Sequence, residues 1–350
     1  MIGRRLMLLA LTLVWSAVIS SCGGDKTSNA LQQGAVQVQG AGATFPAPLY
    51  KKWFAEYRKR HPQVAFSYNA VGSGEGVKLF VAGEVDFGAS DAAMNDEEIA
   101  SVKRGVQLVP ITAGAIVLAY NLDGLGGPLK LPRDVYVDIF LGRITRWDDP
   151  RIKAANPTLN LPTLDIVTVA RQDSSGTTFA FSNHLSAISQ EWRDRGPGVG
   201  RKLDWPGNAM LAPGNEGVAG RIEISKGSIG YVEYGFAERL GLPMAWLENK
   251  AGQFIQPDDR SGLATLMNTE LPENMRAFFP DPEGKDSYPL VTYTWLLLYK
   301  QYDDPQKAAA LKEYVKWCLT VGQEFSESLG YLRLAPQIAT RAVDTLDGIH

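Results

Sequence analysis

Histidine and cysteine are nearly missing from this chain: three of the first and two of the second among 350 residues. The scarcity argues against Cys/His metal clusters and leaves little material for histidine-assisted catalysis. An excess of positive charge is lacking too. The formal charge is -3 with a pI near 5.8, and nucleic-acid binders usually carry a basic face. No internal repeat of fixed period is present. The one sustained apolar run at the amino end, Leu6 to Ile19, is too short for a comfortable membrane span.

That run follows Arg4-Arg5 and ends in Ile19-Ser20-Ser21-Cys22-Gly23. A basic start, an apolar middle and small residues before a break mark an export leader. The small residues and cysteine resemble a bacterial lipoprotein signal, which implies a leader over 1–22 and acylation of Cys22. Removing the leader takes two arginines and leaves 33 basic against 38 acidic residues. Residues 23–37 are polar and read as a flexible tether. The remaining thiol, Cys318, lies on an apolar helical face with Leu311, Val315 and Leu319, so a buried, inert cysteine is expected.

What the chain does have is Gly, Ser and Thr at strand-to-helix turns. Ile166 to Val169 is β-branched and predicts a strand. Phe181 and Leu185 fall at helical spacing beyond Thr177, and Asp173-Ser174-Ser175-Gly176-Thr177 forms the turn between. A helix start presents unpaired amides and the positive end of the dipole, which suits an anion; Arg171 lies just upstream. Two more such turns follow strands, at Thr44-Phe45 and at Ser73-Gly74. Thr44 reads as an N-cap with Pro46 opening the helix, and the later helix is expected over Val77 to Ala82. In parallel α/β sheets, turns of this kind meet at the carboxyl edge, where ligands bind. Three together would cage a tetrahedral anion. Asp91 is the odd member: as an acceptor it suits an anion that carries a proton, hence phosphate over sulfate. On chemistry alone it is equally a helix-capping acid before Ala92.

Farther along, Leu108 to Tyr120 predicts a strand passing from one lobe to another, Val291 to Tyr299 a buried strand, and Pro305 to Phe325 an amphipathic helix. Enzyme readings are weak. His184 lies seven residues beyond Thr177, roughly 10 Å along the helix, too far to activate Ser175 directly. Gly72-x-Gly74 lacks the third glycine of a dinucleotide fingerprint, because Val77 stands in its place.

Gly40-Ala-Gly-Ala-Thr-Phe-Pro-Ala-Pro48, Val85-Asp-Phe-Gly-Ala-Ser-Asp91, Arg171 to Phe179, Leu141 to Asp149, Gly227-Ser-Ile-Gly-Tyr-Val-Glu-Tyr234 and Tyr288-Pro289 resemble the periplasmic phosphate-binding protein of bacterial phosphate ABC transporters. The resemblance covers nearly all of the chain after the tether. It implies an α/β, two-lobed periplasmic-binding-protein fold (type II-like), each lobe a mostly parallel sheet flanked by helices. It implies lobe 1 over 38–114 plus 292–350 and lobe 2 over 115–291, hinged near Thr112–Gly114 and Tyr288–Thr292. Carried over, Thr44, Phe45 and Ser73 donate to phosphate and Asp91 accepts its proton. Arg171, held by Asp173, pairs with the anion, and Ser175, Gly176 and Thr177 cap it. Gly74 stands where a second serine is frequent and Ser174 where glycine is usual, which leaves open whether Ser174 or Ser175 faces the ligand. The expected protein is a monomer that is no enzyme and has no cofactor or metal. It is lipid-anchored through Cys22 in the periplasm or at the outer face of the cell envelope, and delivers phosphate to a permease and its ATPase. The alternatives are a binder of arsenate, sulfate or molybdate, and a secreted phosphatase.

Overall fold

A computed structural model describes residues 34–350, and the leader, Cys22 and most of the expected tether lie outside the described residues. Its strands are β1 (Val36–Gly42), β2 (Val64–Ala70), β3 (Phe87–Ser90), β4 (Val106–Tyr120), β5 (Lys130–Leu131), β6 (Val167–Arg171), β7 (Met210–Ala212), β8 (Ser228–Glu233), β9 (Trp246–Glu248), β10 (Phe254–Ile255) and β11 (Val291–Tyr299). Eight of them form one sheet in the order β2-β1-β3-β11-β4-β8-β6-β7, and β10-β9-β5 form a small second sheet. Val36-Gln-Val-Gln, whose alternation also reads as a short strand, opens β1, so Val36 and Gln37 pair with Val64 and Ala65 rather than ending the tether.

The outer pairs of the large sheet are parallel, β1 with β2 and β3, and β6 with β7 and β8. Each parallel pair needs a crossover, which the intervening helices supply. The two middle strands run antiparallel to their neighbours and join the halves. β4 pairs with β11 from Val106 to Ala115 and with β8 from Ile116 to Tyr120, so it changes partner between Ala115 and Ile116. Strands buried on both faces read as continuous apolar runs, and all nine residues of β11 are buried.

Three helices differ from their sequence-based limits. The first runs Ala47–Arg60 with Pro46 at its N-cap position, and no side chain caps it; Thr44 is engaged elsewhere. The second begins at Ser73 rather than Val77, because Gly72 at φ 95 turns the chain directly into it. The helix from Pro305 stops at Leu319 and continues as a 3₁₀ turn over Val321–Phe325. Gln323 replaces the lost helical bonds there, donating to the carbonyls of Ile111 and Cys318 at 3.0 Å each. Cys318 is fully buried, and burial pushes its thiol pKa up.

Candidate functional site

Five strands of the large sheet end at one place. After β1 comes Thr44-Phe45, after β2 Ser73, after β3 Asp91, after β6 Asp173 to Thr177, and after β7 Gly214-Asn215. Ser73, Ser175 and Thr177 are wholly buried, Asp91 is 1% exposed and Arg171 3%. The Ser73–Ala82 and Gly176–Ile188 helices both start at this cluster, the first with no side-chain cap and the second capped by Ser175.

The two halves of the sheet touch across it. The Gly74 amide donates to the Ser174 carbonyl at 2.9 Å. A Cβ on Gly176 would lie 2.6 Å from Ser73 Oγ and 2.8 Å from the Asp91 amide nitrogen, so only glycine permits this approach. Gly74 and Ser174, the two departures from the expected motif, explain one another. A Cβ on Gly74 would lie 1.9 Å from Ser174 Oγ, so the serine fills the space the glycine leaves. Ser175 is the buried member of the pair, and its hydroxyl accepts from the Thr178 amide at 3.1 Å as the helix N-cap. Farther out, Arg201 forms an ion pair with Glu98 and donates to the Ala92 carbonyl at 3.1 Å, and Arg276 meets Asp96 at 2.7 Å. A cleft of about 660 Å³, lined by residues including Thr44, Lys51, Asp173, Gly214 and Phe236, opens beside the cluster.

Arg171 is held rigidly. Its Nε donates to Asp173 Oδ1 at 2.9 Å and its terminal nitrogens reach Asp173 and Thr177 Oγ1. Burial works to raise the Asp173 pKa, but the bonds from Arg171 and from the Gly214 amide outweigh it, and the carboxyl is held below the usual range. Asp91 behaves oppositely. Burial pushes its pKa up to about 7, against the lowering influence of Thr294 and the Arg171 charge. Thr294 Oγ1 donates to Asp91 Oδ1 at 2.8 Å, and a side-chain hydrogen bond with Ser73 also works to lower the carboxyl's pKa. The alternative of a helix-capping Asp91 does not hold, because the next helix starts at Asp96 and is capped by Asn95.

Three contributors were not identified from sequence: Thr294, Tyr231 and Asn215. Tyr231 accepts from the Arg171 amide at 3.0 Å and shares a 2.7 Å hydrogen bond with Thr178. Asn215, fully buried, donates from Nδ2 to Thr44 Oγ1 at 3.0 Å and to Thr177 Oγ1 at 3.3 Å. The only local signal was its place in the helix-opening Gly214-Asn-Glu-Gly217.

His184 is away from the cluster. It lies between the Tyr136 hydroxyl at 2.7 Å and the Pro280 carbonyl at 2.6 Å, and burial drives its pKa down to about 4. Among the described residues, no group of His, Cys, Asp and Glu is arranged to hold a metal ion.

The PBP superfamily domain matches residues 27–321. The phosphate-binding protein PstS of Pasteurella multocida is 38% identical over 312 residues, covering 88% of this chain and 89% of the relative. PstS of Methanocaldococcus jannaschii is 34% identical, covering 98% and 95%. Among solved structures, a periplasmic phosphate-binding protein (PfluDING) bound with phosphate superposes with a TM-score of 0.73 at 20% identity, over 90% of this chain and 99% of that one. A phosphate-binding protein from Stenotrophomonas maltophilia gives 0.73 at 20% identity, over 89% and 94%. These structures share the fold, two α/β lobes with helices flanking the sheet. The match over most of its length, at more than a third identity to curated relatives, places the chain in the PBP superfamily and, within it, in the PstS family of phosphate-binding proteins.

Proposed function

We propose that the chain binds inorganic phosphate between its two lobes and hands it to a membrane ABC permease for uptake. Supporting it, the relatives are named for phosphate binding, and the C-terminal edge of the sheet gathers helix-start amides around one buried arginine. The observation that carries the reading is Asp91. A buried acid with one oxygen satisfied by Thr294 and a pKa raised by burial is a poor neighbour for an unprotonated anion and a good acceptor for a protonated one. Thr44, Phe45, Ser73, Arg171, Ser175, Gly176 and Thr177 supply the donors, and Asp173 holds Arg171.

The lobes hinge where β4 exchanges β11 for β8, beside Gly114, and where the chain enters β11 at Val291. Sheet strands flex there without breaking either lobe's core. The protein acts as a monomer on the outer face of the membrane or in the periplasm, tethered by a lipid on Cys22. The relatives are named for phosphate binding rather than for catalysis, and His184 is engaged by Tyr136 and Pro280.

Titration calorimetry on residues 23–350 with phosphate, arsenate and sulfate tests the reading. Phosphate and arsenate, which both carry a proton near neutral pH, are expected to bind, and sulfate to fail at pH 8. Sulfate binding as tightly as phosphate at that pH would remove Asp91's assigned role. No binding of any of the three would remove the function.

A further inference from the structure

A threonine hydroxyl has one proton to give and two lone pairs to fill, so it both donates and accepts unless its neighbours decide for it. At Thr44, both lone pairs are taken by one residue: the Asn215 amide nitrogen at 3.1 Å and Asn215 Nδ2 at 3.0 Å. At Thr177, they are taken by Asn215 Nδ2 at 3.3 Å and by the Arg171 guanidinium at 3.3 Å. The orientation of the Asn215 side chain is not arbitrary. The backbone N–H of Glu233, which can only donate, reaches Asn215 Oδ1 at 3.0 Å. The NH₂ end is therefore turned to the two threonines, one hydrogen for each.

We propose that Asn215 is a specificity-determining positioning residue that fixes both the Thr44 and the Thr177 hydroxyls as hydrogen-bond donors toward the bound anion. The inference rests on the phosphate-binding reading and goes beyond it, since Asn215 acts through the threonines. Thr44 follows β1, whereas Asn215 and Thr177 follow β7 and β6 in the other half of the sheet. Closure of the lobes thus converts the Thr44 hydroxyl from a group with two roles into one with a single role. A neutral or cationic ligand that needs an acceptor at these positions finds none.

Calorimetry of the mature chain with inorganic phosphate tests this. Asn215→Ala is expected to weaken binding about 10- to 100-fold, the scale of one or two hydrogen bonds to a charged group. In a Thr44→Val/Thr177→Val background, the same substitution is expected to change affinity less than about 2-fold, because no hydroxyl remains to be oriented. An equal loss in both backgrounds would show that Asn215 merely holds the helix start, and would overturn the proposal; so would an unchanged affinity in Asn215→Ala. Should that variant fold poorly, Asn215→Asp keeps the shape. Its new carboxyl sits among Arg171, Asp173 and Glu233, and when ionised it accepts where the amide donated. Its affinity relative to the parent protein is therefore expected to fall as pH rises from about 6 to about 8.5. A constant ratio over that range would refute the proposal. A parent protein that binds no phosphate would instead defeat the reading on which it rests.

Discussion

Gly176→Ala separates the closed, ligand-binding form from the stability of the chain. The added methyl would meet Ser73 Oγ at 2.6 Å, Asp91 Cβ at 2.7 Å and the Asp91 amide nitrogen at 2.8 Å. Ser73 Oγ can rotate away, but the other two atoms are fixed by β3 and its loop. The lobes must then stay apart by several tenths of an ångström, and overpacking of this kind costs about 1–3 kcal/mol. That corresponds to phosphate binding about 5- to 150-fold weaker. In the open form proposed for the unliganded chain this clash is absent. Gly176 has an ordinary backbone conformation at the first position of a helix, where alanine is at least as favourable as glycine. Calorimetry should therefore show a large affinity loss, while the melting temperature without phosphate is unchanged or slightly higher. Affinity within twofold of the parent would refute closure as the binding geometry. A matching loss of ligand-free stability would refute the separation of the two forms.

Four further outcomes follow from contacts described above. Asp91→Asn removes the obligate acceptor, and competition titrations at pH 8 should show phosphate preference over sulfate falling by about 10- to 100-fold. In the unmodified protein, Asp91 gains its own proton as pH falls through about 7, so sulfate binding should strengthen below that pH. Gly74→Ser alone should weaken phosphate binding about 10-fold by pressing on Ser174, and adding Ser174→Gly should restore it in a double-mutant cycle. His184 is held neutral, its pKa lowered by burial from 6.5 to about 4. Its contribution is complete above pH 6.5 and is lost as pH falls toward 4, by about 3 kcal/mol in all. Urea unfolding between pH 7 and pH 4.5 should show His184→Gln losing less stability than the parent, and parallel losses would contradict that role.

Much of this was readable from residue types because strands and turns are local. Gly and hydroxyl residues after β1, β2 and β6 marked the carboxyl edge of the sheet, and the apolar runs of β4 and β11 marked its buried centre. The unread portion depends on distant pairs. Thr44 looked like a cap because Pro46 and Pro48 follow it, yet its hydroxyl is used by Asn215, 171 residues away. Thr294 meets Asp91 across 203 residues, within a strand whose apolar pattern gives no reason to single out one threonine. Likewise the Gly74 and Ser174 departures looked like two separate defects, and only their contact shows one exchange of volume.

The contacts that join the lobes indicate what drives closure. Arg276 and Asp96 form a pair in which the aspartate is 88% exposed, and such pairs contribute about 0–1 kcal/mol. Arg201 and Glu98 are better shielded, and Gly74 to Ser174 adds one backbone hydrogen bond, about 1 kcal/mol net. Ring contacts also cross the assigned lobe boundary, Phe278 with Trp295 at 5.9 Å and Phe279 with Tyr293 at 5.5 Å. Moving a population from about 1:99 closed-to-open odds to about 99:1 takes about 5.5 kcal/mol. Two to four hydrogen bonds to an anion, at about 1.5–3 kcal/mol each, reach that figure. Donors that come together only on closure, Thr44 and Ser73 from one half and Gly176 and Thr177 from the other, exceed it. Substitutions at the peripheral ion pairs should therefore move affinity far less than substitutions at these four.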